Sequence, residues 1–173
     1  EELKKFWTEK SLKGQDVSSS WSDYNVVNME VKQILKRLED GDKVLDVGCN
    51  NGYSTVQHAT EKNITIRGID FIPELIQNAN LRLTNLTHPL CGKVEFDVGD
   101  VTNLKESTNY YDKVISVRVI INLENWDNQV KGLQECARVL KSGGLFLLIE
   151  STLQGWNSLN KFRREWGLPD ISM

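Results

Sequence analysis

Histidine and cysteine are scarce in this chain, and the few present do not cluster. The three cysteines, Cys49, Cys91 and Cys136, are scattered and odd in number, so they form neither a metal spacing nor a disulfide frame. A reducing, cytoplasmic setting is the natural expectation. The two histidines, His58 and His88, have no ligand-type neighbours in sequence, which argues against a zinc site. Long basic runs are also lacking. The densest basic patch is Lys161-Phe162-Arg163-Arg164, and the net charge is −3. Neutralising phosphates needs clustered Lys and Arg, so a nucleic-acid partner is disfavoured. No apolar run approaches the ~20 residues of a membrane helix, and the opening Glu-Glu-Leu-Lys-Lys-Phe-Trp lacks a signal-peptide layout. A membrane partner is therefore not expected. Asn63-Ile64-Thr65 and Asn85-Leu86-Thr87 match the glycosylation tripeptide, but without a secretion signal they read as chance matches.

What is present is ordinary in amount and specific in order. A chain of 173 residues with 39% hydrophobic and 26% charged residues suggests one domain with a sizeable core. Its organising stretch is Val44-Leu45-Asp46-Val47-Gly48-Cys49-Asn50-Asn51-Gly52, an apolar β-type run that turns through glycines into a helical segment. Gly48 lets backbone approach a ligand closely, and Gly52 lets the helix start pack against the strand. The helix N-terminus offers unpaired N–H groups. A carboxylate at Asp46 would repel a diphosphate and suit a ligand bearing an ammonium group. That points away from a nicotinamide dinucleotide and toward S-adenosylmethionine.

The pattern Asp-x-Gly-x-x-x-Gly after an apolar strand resembles the first motif of the class I S-adenosylmethionine-dependent methyltransferases. Where that family usually has a further glycine this chain has Asn50, which tolerates left-handed backbone angles. Further family-like segments follow in order. Ile64 to Asp70 reads as a second strand ending in an acid, with Pro73 opening the next helix. An acid 18 residues after Gly52 is placed to bind two ribose hydroxyls, or alternatively to cap the helix. Lys93 to Val98 reads as a third strand running into Gly99-Asp100-Val101. The resemblance implies an adenine-recognising turn there, with the Asp100 side chain and the Val101 N–H as contacts. Phe71 and Ile72 belong to the same cofactor-binding set, as does Cys49. Ile72 would pack on the adenine ring or else in the core.

Tyr111 to Val117 reads as the fourth strand, and its end should face the ligand crevice. Arg118 there could bind a carboxylate or phosphate of substrate or cofactor. It could equally pair with Asp46, Glu124 or Glu150. Asn/Asp-Pro-Pro-aromatic is absent at this point, which counts against amino-methylation of nucleic-acid bases. Ala-Arg-Val-Leu-Lys-Ser-Gly-Gly-Leu-Phe-Leu resembles another hallmark of the family, with Lys141 to Gly144 ending a helix and Leu145 to Glu150 forming an almost wholly apolar fifth strand. Glu150 could orient an acceptor or take its proton, or serve as a strand-end ion-pair partner. Arg118 and Glu150 are the catalytic candidates. In the flanks, residues 1–13 suggest a short helix with Leu3, Phe6, Trp7 and Leu12 loosely on one side. A second helix spans Tyr24 to Leu38, capped by Ser22 or Asp23. A tail helix spans Ser158 to Trp166 with Leu159, Phe162 and Trp166 inward.

The expected fold is a doubly wound, mainly parallel α/β sheet in the Rossmann-like methyltransferase arrangement, lacking the family's last two strands. The expected organisation is a helical lid or cap over residues 1–40, with Trp21 and Tyr24 closing on the cofactor. A cofactor-binding core spans residues 41–152, and the start of a truncated substrate-side segment spans 153–173. The resemblance implies methyl transfer from S-adenosylmethionine to a small-molecule acceptor, with S-adenosylhomocysteine as product. Ile120-Ile121-Asn122-Leu123, Glu150-x-Thr-x-x-Gly and Leu-Asn-x-x-Arg-x-x-x-Gly-Leu-Pro also resemble bacterial methyltransferases of surface-polysaccharide and sugar modification. The alternatives are a non-catalytic cofactor-binding or interaction module of this fold, an RNA methyltransferase, and a nicotinamide-dependent oxidoreductase. The last needs Gly-x-Gly-x-x-Gly, and the corresponding positions here hold Gly48, Asn50 and Tyr53. An exposed fifth strand could pair across a homodimer.

Overall fold

The computed structural model describes residues 2–171. Glu1 of the expected first helix, and Ser172 and Met173 of the tail, lie outside the described residues. The chain begins with α1 (Glu2–Ser11), a 3-10 turn (Val17–Ser19) and α2 (Tyr24–Leu35). Alternating strands and helices follow: β1 (Lys43–Val47), α3 (Tyr53–Glu61), β2 (Thr65–Asp70), α4 (Pro73–Thr84), β3 (Lys93–Val98), β4 (Tyr111–Val117), a 3-10 turn (Ile120–Asn122), α5 (Trp126–Val139), β5 (Leu140–Ile149) and α6 (Leu153–Glu165). The five strands form one sheet in the order β3-β2-β1-β4-β5, and every pairing is parallel. Strand order reverses between β1 and β4, the place where ligands bind in open α/β sheets.

Side chains on successive residues of a strand point to opposite faces, and here both faces are covered. Val44 and Ile66 pack with Ile34, Leu38 and Ala59 on one face. Leu45, Val47 and Ile69 pack with Val114, Cys136 and Val139 on the other. Each fully buried aliphatic side chain contributes roughly 1.5–3 kcal/mol. Strands buried on both sides therefore explain the near-continuous apolar runs in the sequence.

Helix boundaries follow local chemistry. Asp23 caps α2, accepting from the N–H groups of Asn25 and Val26. Pro73 sits in the first turn of α4. Four expectations are corrected. First, α1 ends at Ser11, and Leu12 beyond it is exposed rather than part of an apolar side. Second, α2 ends at Leu35, although Leu38 still reaches the core. Third, α5 ends at Val139, because Leu140 already pairs with Tyr111. The segment from Lys141 to Gly144 is a bulge before pairing resumes at Lys113 and Leu145. Lys141 Nζ holds this bulge by donating to Asp112 at 2.6 Å. Fourth, α6 starts at Leu153, and Leu159, Phe162 and Trp166 are exposed rather than inward. A helical stripe shows which residues share a face, not what covers it.

Candidate cofactor and acceptor site

The turn after β1 is built from three left-handed residues: Gly48 (φ 70°), Asn50 (φ 52°) and Gly52 (φ 73°). The N–H groups of Gly48 and Cys49 both donate to the Ile69 carbonyl, at 2.7 and 2.9 Å. Asn50 sustains its unusual backbone because its side-chain oxygen accepts from the Asn51 N–H at 2.8 Å. A Cβ on Gly48 would stand 2.2 Å from Val119 Cγ2, and one on Gly52 would stand 2.5 Å from Phe96 Cζ. Both glycines thus let neighbouring protein close in, Val119 from beyond β4 and Phe96 from β3.

A cavity of about 250 Å³ opens at this turn. It gathers Gly48, Asn50, Asp70, Phe71, Gly99, Asp100, Val101 and Arg118 from the sequence-derived set. Asp70 ends β2 and is buried. Its Oδ2 accepts from the Asn50 N–H and its Oδ1 from the Ile72 N–H, each at 3.0 Å. Asp70 thus ties the approach to α4 to the glycine turn, but it does not cap the helix: the N-cap position is Ile72, with no side-chain cap. Burial pushes its pKa up to about 6 against those N–H bonds. Asp100 is exposed, and its Oδ1 accepts from both the N–H and the hydroxyl of Thr102 at 2.8 Å.

Several expected contacts lie elsewhere. Ile72 is fully buried in the core and does not line the cavity, which leaves Phe71 as the partly exposed side chain at that end. Trp21 and Tyr24 do not line it either; Tyr24 meets the Tyr53 hydroxyl at 3.2 Å. The cover over the cavity comes instead from Leu3, Lys4 and Trp7 of α1. Polarity in the first ten residues gave no sign of this, although Trp7 on a partly apolar side was the available hint. The opposite wall is formed by Val119, Asn122, Leu123, Glu124 and Asn128.

Glu150 also falls outside the cavity. Its Oε1 accepts from the Ile120 N–H at 2.9 Å, so it caps the 3-10 turn that carries Asn122. Burial raises its pKa against these backbone bonds. Its position makes it a support for the 3-10 turn beside the cavity. Arg118 has a left-handed backbone (φ 55°) and pairs with Glu30 of α2, a partner outside those expected, and its charge also acts on Glu150. Its guanidinium lies over the Trp21 ring at 5.0 Å.

Asp46 and Cys49 face a second, narrower cavity of about 40 Å³. This cavity shares Ser20, Gly48, Asn50, Val117 and Arg118 with the first. Asp46 is buried, and its Oδ2 accepts from the Thr55 hydroxyl at 2.6 Å. Burial, with added repulsion from Asp70, pushes its pKa up to about 7. The arrival of a cation beside it would reverse that shift. Burial also raises the Cys49 thiol well above its usual range, so it is no nucleophile. The donor set fits a nucleoside carrying a cationic amino acid. Carboxylates wait at two strand ends, an apolar slot lies between Ile69 and Val101, and a buried acid stands at the narrow end.

Comparison with known proteins places the fold in a family. A methyltransferase domain family model matches residues 38–166. A demethylmenaquinone methyltransferase of Leptospira interrogans is 27% identical over 82% of this chain and 57% of its own length. The chloroplastic 2-methyl-6-phytyl-1,4-hydroquinone methyltransferase 1 of rice is 30% identical over 63% of this chain and 31% of its own. Among solved structures, the Haloferax volcanii methyltransferase in complex with the Trm112 activator matches with a TM-score of 0.62. It is 28% identical, over 84% of this chain and 58% of that one. The chain spans about half the length of the curated relatives it matches. With the matched family model covering most of the sheet and the cavity at its reversal point, the chain belongs to the methyltransferase domain family, in the class I S-adenosylmethionine-dependent arrangement.

Proposed function

We propose that the chain binds S-adenosylmethionine and transfers its methyl group to a small-molecule acceptor held under α1. The observation that carries this reading is the convergence of Asp70, Asp100 and the Gly48–Gly52 turn on one cavity. Asp70 would accept from the ribose hydroxyls through the lone pairs left by its two N–H donors. Asp100 and the Val101 N–H would read the adenine edge, with Phe71 beside it. Asp46 would stabilise the ammonium of the methionine end. When bound, the cofactor supplies the activated methyl and the leaving group, so the protein's task is alignment and exclusion of water.

The acceptor wall suggests the substrate class. Trp7 offers a flat face, Asn122 and Asn128 offer amides that can serve hydroxyl groups, and Lys4 adds a cation. Aromatic stacking with amide hydrogen bonding and a cation suits a sugar ring bearing an anionic group, such as a sugar nucleotide. A second reading is a quinol ring, favoured by the apolar faces of Leu3 and Leu123 and by the names of the Leptospira and rice relatives. Acceptor-dependent formation of S-adenosylhomocysteine, measured with a sugar-nucleotide panel and a 1,4-hydroquinone panel, tests the assignment. Turnover with sugar nucleotides supports it, and turnover with hydroquinones alone transfers it to the quinol reading. Cofactor binding without turnover on any acceptor would favour a non-catalytic module.

A further inference from the structure

We propose that Glu30 and Arg118 act as a pair that reads the zwitterionic amino-acid end of the cofactor, with Glu30 as a binding residue in its own right. This rests on the cofactor assignment above and extends it to a side chain on α2. Glu30 and Arg118 are 88 residues apart in sequence, yet form an ion pair whose side chains are only 12% and 14% exposed. Both line the narrow cavity with Asp46, and Arg118 also lines the larger one. The pair therefore sits at the passage between the two spaces.

Its geometry is held from several sides. The Arg118 N–H donates to the Ile149 carbonyl at 2.8 Å, and the left-handed backbone aims the side chain back across the site. Trp21 lies under the guanidinium, and Ser20 Oγ lies 3.4 Å from Nη2. Glu30 engages one terminal nitrogen, so the planar fork keeps donors for a second carboxylate. On the other side, Asp46 spends one oxygen on Thr55. Its second oxygen and the second oxygen of Glu30 are then acceptors for an ammonium. His58 lines the same cavity fully buried, and neither ring nitrogen has a hydrogen-bond partner among the described residues. The cavity thus carries polar capacity that its own packing does not consume.

One cation and two carboxylates around a narrow space complement a group with adjacent ammonium and carboxylate. A lone arginine would attract the carboxylate but leave the ammonium unmatched. A lone acid would do the reverse. Burial pushes the Glu30 pKa upward while Arg118 opposes it, so an arriving ammonium takes over work that Arg118 alone performs in the ligand-free pair. On binding, the guanidinium turns toward the ligand carboxylate and Glu30 toward the ligand ammonium.

The test compares S-adenosylhomocysteine with 5′-methylthioadenosine, which keeps the nucleoside and lacks the amino-acid end. Calorimetric titrations are run with the wild-type chain and with Glu30→Gln. The wild-type chain should bind S-adenosylhomocysteine at least about tenfold more tightly than 5′-methylthioadenosine. Glu30→Gln should weaken S-adenosylhomocysteine by about tenfold and leave 5′-methylthioadenosine within about twofold, because a charge-assisted contact is lost only with the first. Equal losses for both ligands, or an unchanged affinity for S-adenosylhomocysteine, would overturn the proposal while leaving the cofactor reading in place. Wild-type indifference between the two ligands would overturn it without recourse to any variant. Failure of the wild-type chain to bind either ligand would remove the cofactor reading and this inference with it.

Discussion

The main-chain N–H of Asn50 donates to Asp70 Oδ2 at 3.0 Å, tying the glycine turn after β1 to the acid that ends β2. The other oxygen holds the Ile72 N–H at the entry to α4. One carboxylate thus fixes two loops at the mouth of the cavity. Asp70→Ala would leave two buried donors unpaired and should destabilise the chain by about 2–4 kcal/mol. Asp70→Asn keeps an acceptor for one of them and should cost roughly half as much. Urea denaturation of the three proteins checks the order.

Gly48→Ala meets two separate penalties, a left-handed φ of 70° and a Cβ 2.2 Å from Val119 Cγ2. The expected cost is about 2–3 kcal/mol. Adding Val119→Ala should recover the steric part and not the backbone part. A double-mutant cycle in thermal unfolding should therefore show favourable coupling. Independent, additive losses would mean that the contact is not the source of the strain.

The pH dependence of stability follows from Asp46. Its folded pKa, near 7, lies above its unfolded value, so the folded state binds the extra proton. Its contribution is complete below the unfolded pKa and is lost as pH rises through about 7. Between pH 8 and 6.5 the ligand-free chain should gain about 1 kcal/mol, and Asp46→Asn should flatten that slope. His58 works in the opposite sense at lower pH. Burial lowers its pKa to about 4, so its contribution is present above 6.5 and lost as pH falls toward 4. On the proposed role of Asp46, cofactor affinity should fall over the range in which protonation adds stability, because an ammonium would need the ionised carboxylate. Melting curves and titrations at matched pH values separate the two trends.

The cap formed by α1 is fastened below its last turn. Asn51 Nδ2 donates to the carbonyls of Gly14 and Asp16 at 2.9 and 2.8 Å, and Arg82 donates to the Gln15 and Asn51 carbonyls. Asn78 Nδ2 adds a bond to the Ser11 carbonyl at 2.8 Å. Asn51→Ala should cost about 1–2 kcal/mol locally and speed proteolysis within residues 12–20, with the sheet unchanged. Limited proteolysis followed by mass analysis reads this directly.

Local patterns carried the sheet and the cofactor turn. The apolar runs of β1, β2 and β4 and the acids Asp70 and Asp100 each declare themselves within a few residues, because strand, turn and cavity lining are contiguous there. Contacts assembled from distant segments were not legible. Neither the Glu30–Arg118 pair nor the α1 cover has a local signature, and nothing near Arg118 in the sequence points to Glu30. Leu140 joins β5 across a four-residue bulge, which a helix-ending glycine pair conceals. The aromatic stripe of α6 was visible, but its exposure depends on what the rest of the fold places beside it.

The most direct measurement is calorimetric titration of this chain with S-adenosylhomocysteine, run beside NADH under the same conditions. Saturable binding of S-adenosylhomocysteine and none of NADH is expected, since the role proposed for Asp46 is to meet an ammonium, and a carboxylate there would repel a diphosphate. Binding of NADH in preference, or no binding of S-adenosylhomocysteine, would contradict it.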